Sequence, residues 1–103
     1  MAEGDFVKVT LAVDLSPGSA RVFDVGGTPV ALFNVNGTFH AINNNCAHRM
    51  GPLGEGEIEG AAVTCPWHGW RFDVTTGECL GRPGARVQSY AVKLEGGEVF
   101  VSV

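Results

Sequence analysis

Two short motifs carry the donor atoms of this chain: Cys46-Ala47-His48 and Cys65-Pro66-Trp67-His68. Each offers one thiolate and one imidazole, and sixteen residues lie between them. That interval is long enough for a strand hairpin that turns the two loops face to face. Four donors of two kinds can hold one metal ion or a two-iron cluster. Zinc takes such sets, but zinc fingers usually place two cysteines together and two histidines together. Here each loop supplies one of each. A [2Fe–2S] cluster with unlike irons accounts for that arrangement. One cysteine from each loop holds one iron, and one histidine from each loop holds the other. A nucleophilic Cys–His pair is the other chemistry these residue types allow. Two such pairs in a chain with no evident substrate pocket argue against it. Two mixed pairs also argue against four incidental loop residues.

The elements that must position these loops read as all-β. Short period-two runs are broken by turn residues. Strands are predicted over Phe6–Leu11, Arg21–Val25, Val30–Val35 and Thr38–Ile42, then over Val87–Leu94 and Val99–Val103. Asn36-Gly37 and Gly96-Gly97 are the hairpin turns, since Asn-Gly tolerates positive φ at both positions. Between the outer hairpins the chain turns rich in Cys, His, Gly and Trp. Short strands are predicted there at Glu57–Glu59, Ala61–Thr64 and Arg71–Val74, and after Thr75-Thr76-Gly77 at Glu78–Leu80. The expected architecture is a single domain over 1–103. Residues 1–43 and 83–103 form a β base, and residues 44–82 form an inserted cluster-binding subdomain.

Composition narrows the function classes. A chain of 103 residues fits one domain with a modest core, so a cluster that pins two loops would add stability. Apolar residues at 45% and charged residues at 17% are globular values rather than disordered ones. The formal charge of −4 argues against nucleic acid or an anionic membrane as partner. No apolar run has the length of a membrane span. Met1 to Asp5 carry acids and no basic region of the secretory kind. The expected location is the cytoplasm, where three cysteines favour metal binding over a disulfide.

The sequence from Cys46 through His48 to Cys65-Pro66-Trp67-His68-Gly69-Trp70 resembles the Rieske cluster-binding pattern. The continuation Arg71-Phe72-Asp73 and Thr76-Gly77-Glu78-Cys79-Leu80 is similar to the strand–turn–strand that follows it in that family. The resemblance implies three stacked antiparallel sheets. It also implies one [2Fe–2S] cluster near a tip, held by Cys46, His48, Cys65 and His68. High-potential members of the family have an extra cysteine in each loop, where this chain has Gly51 and Trp67. They also place hydroxyl donors where this chain has Trp70 and Phe72. The resemblance is therefore to ferredoxin components of bacterial ring-hydroxylating dioxygenase systems. Those are monomeric electron carriers, not enzymes, between an NAD(P)H-dependent flavoprotein reductase and a terminal oxygenase. The alternatives are the small Rieske-like subunit of an assimilatory nitrite reductase and, from another class, a zinc-stabilised binding module without redox activity. An oxygenase α subunit is not expected, because His40 is the one histidine left after the cluster is built. A facial triad of two histidines and a carboxylate cannot then be assembled.

The remaining residues have plainer expected roles. Cys79 reads as a small buried hydrophobe, and His40 as a surface or packing residue. Trp67 and Trp70 are expected to pack the cluster loops. Asn43-Asn44-Asn45 is expected to turn the chain through left-handed geometry. Gly81-Arg82-Pro83-Gly84 resembles the family's proline-containing flap, and Arg49 is expected near a docking tip. Glu55, Glu57 and Glu59 alternate as on one strand face, and two of the three are expected on a solvated edge strand.

Overall fold

The computed structural model describes residues 6–46, 51–67 and 69–103. Its strands, in chain order, are β1 (Val7–Leu11), β2 (Ala20–Val25), β3 (Thr28–Val35), β4 (Thr38–Asn43), β5 (Glu57–Glu59), β6 (Ala62–Thr64), β7 (Arg71–Asp73), β8 (Cys79–Leu80), β9 (Ser89–Glu95) and β10 (Glu98–Ser102). The fold is all-β, and every strand pairing is antiparallel.

The outer strands form one six-stranded sheet in the order β1-β10-β9-β4-β3-β2, and the middle strands form a four-stranded sheet β5-β6-β7-β8. The expected antiparallel base is present, and β4 and β9 join its two halves through the pairs Ala41↔Tyr90 and Ile42↔Ser89. The join is two pairs long because the right-handed twist of strands carries longer partners apart. The edge strands β1 and β2 also approach each other, so the sheet curls around its own core.

β3 explains how one small chain supports two cores. Val30, Ala31, Leu32 and Phe33 are all fully buried. Successive side chains on a strand point to opposite faces. Val30 and Leu32 accordingly face a core with Leu15, Val25, Ala41, Val99 and Val101. Ala31 and Phe33 face a second core with Ile42, Leu53, Val63, Phe72 and Cys79. A strand buried on both faces loses the apolar–polar alternation and reads as a continuous apolar run. Each large side chain buried this way contributes about 1.5–3 kcal/mol.

The Asn36-Gly37 hairpin forms as the sequence predicts, with φ of 54° and 92° at its two central residues. Asn34 supports it: its Oδ1 accepts the Gly37 N–H at 2.7 Å, while its Nδ2 donates to the Leu15 carbonyl at 2.7 Å. Two 3-10 turns, Ala12–Asp14 and Leu53–Glu55, were not expected; single turns are too short to leave a periodic signal. Val87, expected in a strand, lies outside β9, where it is buried and donates its N–H to the Gly77 carbonyl at 2.8 Å. Among the described residues no helix is long and apolar enough to cross a membrane.

Candidate metal centre

Both cysteine loops are built the same way. The Cys46 N–H donates to the Gly51 carbonyl at 2.9 Å, and the Cys65 N–H donates to the Trp70 carbonyl at 2.7 Å. In each case a cysteine that follows a strand, three residues after β4 for Cys46 and one after β6 for Cys65, is tied to the residue five positions on (46 to 51, 65 to 70). Each loop is therefore closed at its base, with its cysteine at the point of closure. His48 and His68, the expected imidazole donors, lie outside the described residues, as does Arg49.

The first loop is held by asparagines, though not through left-handed backbone. Among the described residues the one non-glycine at positive φ is Asn36. Asn43 and Asn44 act through their side chains instead. Asn43 Oδ1 accepts the Asn45 N–H at 2.9 Å, and Asn44 Oδ1 accepts the Gly54 N–H at 2.7 Å. Backbone bonds from Asn44 N–H to the Pro29 carbonyl and from Leu53 N–H to the Asn44 carbonyl add to this frame. Leu53, fully buried, anchors the return of the chain beneath the loop.

The two loops meet at Gly51. A Cβ there would lie 2.7 Å from the Cys65 sulfur and 3.1 Å from Cγ of Trp67. Only glycine lets the first loop come this close to the second thiol. Cys46 and Cys65 are each 2% exposed and share one hydrophobic core cluster. No disulfide joins the cysteines of this chain.

Cys79 sits on β8 opposite Phe72 and is buried in the same core, as expected for a small hydrophobe. Burial pushes its thiol pKa up, and the Arg82 cation opposes that rise in part. His40 is half-buried on β4 opposite Phe33. Trp67 was expected to be packed, but it is 57% exposed. It stands over Gly51 and offers the rest of its ring to solvent. Glu57 and Glu59 are exposed on the edge strand β5, where Glu59 faces Arg71 at 3.7 Å. Glu55 belongs to the preceding 3-10 turn. Sequence reasoning missed the contact of Arg82 with Trp70, whose ring centre lies 4.1 Å from the guanidinium carbon. No local spacing signals a contact across a strand and a loop.

The all-β frame buries two thiols in one core, each at the base of a closed loop, and thiols are the donors that soft metal sites take. The chain belongs to the Rieske [2Fe-2S] domain family, whose model matches residues 5–91, and its cofactor is a Rieske-type [2Fe–2S] cluster. It is 35% identical to Ferredoxin CarAc of Metapseudomonas resinovorans, an alignment covering 94% of this chain and 92% of that protein. The ferredoxin of carbazole 1,9a-dioxygenase from Nocardioides aromaticivorans IC177 superposes with a TM-score of 0.89 at 33% identity, covering 94% of this chain and 96% of that one. A ferredoxin solved in a complex of reduced oxygenase and oxidized ferredoxin in carbazole 1,9a-dioxygenase gives a TM-score of 0.86 at 35% identity, covering 93% and 100%. The residues present fit the cofactor, because thiolate is the ligand such clusters require and the glycine at 51 leaves the Cys65 sulfur unobstructed.

Proposed function

We propose that this chain is a one-electron carrier, taking electrons from an NAD(P)H-dependent flavoprotein reductase and delivering them to a terminal, aromatic-ring-hydroxylating oxygenase. Cys46 and Cys65 hold one iron, and His48 and His68 hold the other. Residues 44–82 form the cluster-binding part, residues 1–43 and 83–103 the base. The carrier works as a cytoplasmic monomer. When bound, the cluster supplies a site that gains and loses one electron at a time. The chain's own work is to fix the thiolates in matched closed loops, so that little rearrangement accompanies each transfer. The observation that carries this reading is the meeting of the two cysteine loops at Gly51. Stopped-flow mixing with a flavoprotein reductase and NAD(P)H, then with a terminal oxygenase, tests it. The visible absorption should bleach and then return. A colourless, zinc-loaded protein would sink the proposal.

The midpoint potential should lie near the bottom of the Rieske range, about −150 mV rather than about +300 mV. Hydrogen bonds to cluster or ligand sulfurs stabilise the added negative charge and raise the potential. The side chains of Trp70 and Phe72 carry no hydroxyl, and no disulfide joins the loops. Phe72 is fully buried in the core that contains both cysteines. A hydroxyl added by Phe72→Tyr must therefore find a partner there, and the midpoint should rise. Protein-film voltammetry reads both values. A wild-type midpoint well above zero would place the chain in the high-potential branch.

Charge should also shape its encounters. With a formal charge of −4, docking through acidic surface onto a basic partner should be slowed by salt, because screening shortens the reach of steering. Transfer rates measured from low to physiological ionic strength should fall. A flat profile would remove steering from the account.

A further inference from the structure

After β8 the chain returns towards the second cysteine loop through Gly81-Arg82-Pro83-Gly84. The return is tied at its base: the Ala85 N–H donates to the Arg82 carbonyl at 3.1 Å, and the Cys79 N–H donates to the Ala85 carbonyl at 2.9 Å. The Arg82 guanidinium carbon stands 4.1 Å from the centre of the Trp70 ring. This is the shortest cation–ring approach among the described residues, the others being 4.8, 5.4 and 5.9 Å. Trp70 also closes the second loop, because its carbonyl accepts the Cys65 N–H. One aromatic residue thus lies between a fixed cation and the backbone that carries a cysteine of the metal centre.

The charge of Arg82 is not cancelled by a carboxylate among the described residues, where the ion pairs are Lys8–Glu98 and Arg71–Glu59. The face of the Trp70 ring, negative in its quadrupole, holds the guanidinium instead. The field of Arg82 also reaches inward, for it lowers the pKa of buried Cys79 against the push of desolvation. Cys79 shares its core with Cys46 and Cys65.

We propose that Arg82 is a positioning residue for electron transfer: stacked on Trp70, it latches the 81–84 segment onto the Cys65 loop and supplies a positive charge that favours the reduced state. The proposal rests on the assignment of Cys65 to the cluster. Reduction adds one negative charge, so a nearby cation stabilises the reduced form. Arg82 is exposed, so salt weakens its influence. Arginine joins a flat stack to its charge, whereas lysine keeps the charge as a compact ammonium. The two contributions can therefore be separated.

Voltammetry of Arg82→Gln and Arg82→Lys at low and physiological ionic strength, with iron measured on every sample, tests this. In Arg82→Gln the midpoint should fall, so that at the wild-type midpoint the reduced-to-oxidised ratio drops severalfold. The gap from wild type should narrow as salt rises. Arg82→Lys should recover most of the midpoint yet lose its cluster in air several times faster than wild type. An iron-replete Arg82→Gln with the wild-type midpoint at low salt would overturn the proposal. So would a lysine variant matching glutamine, or a gap indifferent to salt. If glutamine does not retain iron, the lysine variant decides: iron kept near the wild-type midpoint supports the cation, and a lysine midpoint well below wild type overturns it. Iron missing from the wild-type protein itself would count against the cysteine assignment instead.

Discussion

Cys46→Ser and Cys65→Ser each leave the protein without its normal cluster when iron and sulfide are assayed. This is the largest effect expected of any single substitution in the chain. Iron–sulfur centres select thiolate, and a serine hydroxyl is a harder, weaker ligand that stays protonated. Both cysteines are nearly inaccessible, at 2% exposure each, so an outside donor cannot easily take the vacated place. Cys79→Ala and His40→Ala are the controls and should keep full iron. Cys79 is a third buried thiol in the same core, which makes it the stringent comparison. Undiminished cluster content in both serine variants would refute the ligand assignment. Lost content in Cys79→Ala would move the centre towards β8.

Gly77→Ala should be strongly destabilising although it lies away from the cysteine loops. Gly77 turns the chain between β7 and β8 with φ of 86°, a region that costs other residues energy. It is also pinned on both sides, its N–H donating to the Asp73 carbonyl at 2.7 Å and its carbonyl accepting the Val87 N–H at 2.8 Å. A Cβ at this position would run into the Val87 carbonyl oxygen, a backbone atom that cannot swing aside. Strain and collision together should cost about 3 kcal/mol or more, a large share of the 5–15 kcal/mol typical of a whole domain. Tm should fall by about 12 °C or more. Gly84→Ala separates the causes. Its φ is 91°, but a Cβ there would meet open space. It should cost about 1 kcal/mol, the backbone component alone. Equal losses from the two variants would show that the collision is relieved.

The strands were legible because their period and their punctuation agreed. Asn36-Gly37 predicted a hairpin, and the φ values supply the geometry that dipeptide tolerates. Glu57–Glu59 was read to the residue, since a polar edge strand alternates cleanly. Val30–Phe33 predicted a strand without revealing that it separates two cores, because an apolar run carries no face. The three asparagines were placed correctly and explained wrongly: their type fits left-handed backbone and side-chain acceptors equally well, and only the hydrogen bonds distinguish the two. The donor motifs were readable from residue type and spacing. The value of glycine at position 51 was not, because it depends on an atom of the other loop. The same holds for Arg82 and Trp70, twelve positions apart, whose meeting is a product of tertiary folding.

The short join between β4 and β9 bears on how such a protein can be assembled. The chain leaves the outer sheet after Asn43 and re-enters it at Ser89. The two gateposts are already bonded to each other, through Ala41↔Tyr90, Ile42↔Ser89 and the Asn43 N–H on the Gln88 carbonyl at 2.8 Å. The long excursion between them is therefore a detour whose entrance and exit coincide. Closing such a detour costs entropy that grows only slowly with its length, so the outer sheet can be complete before anything inside the detour has settled. The seam thus permits an order in which the platform forms first and the metal binds afterwards.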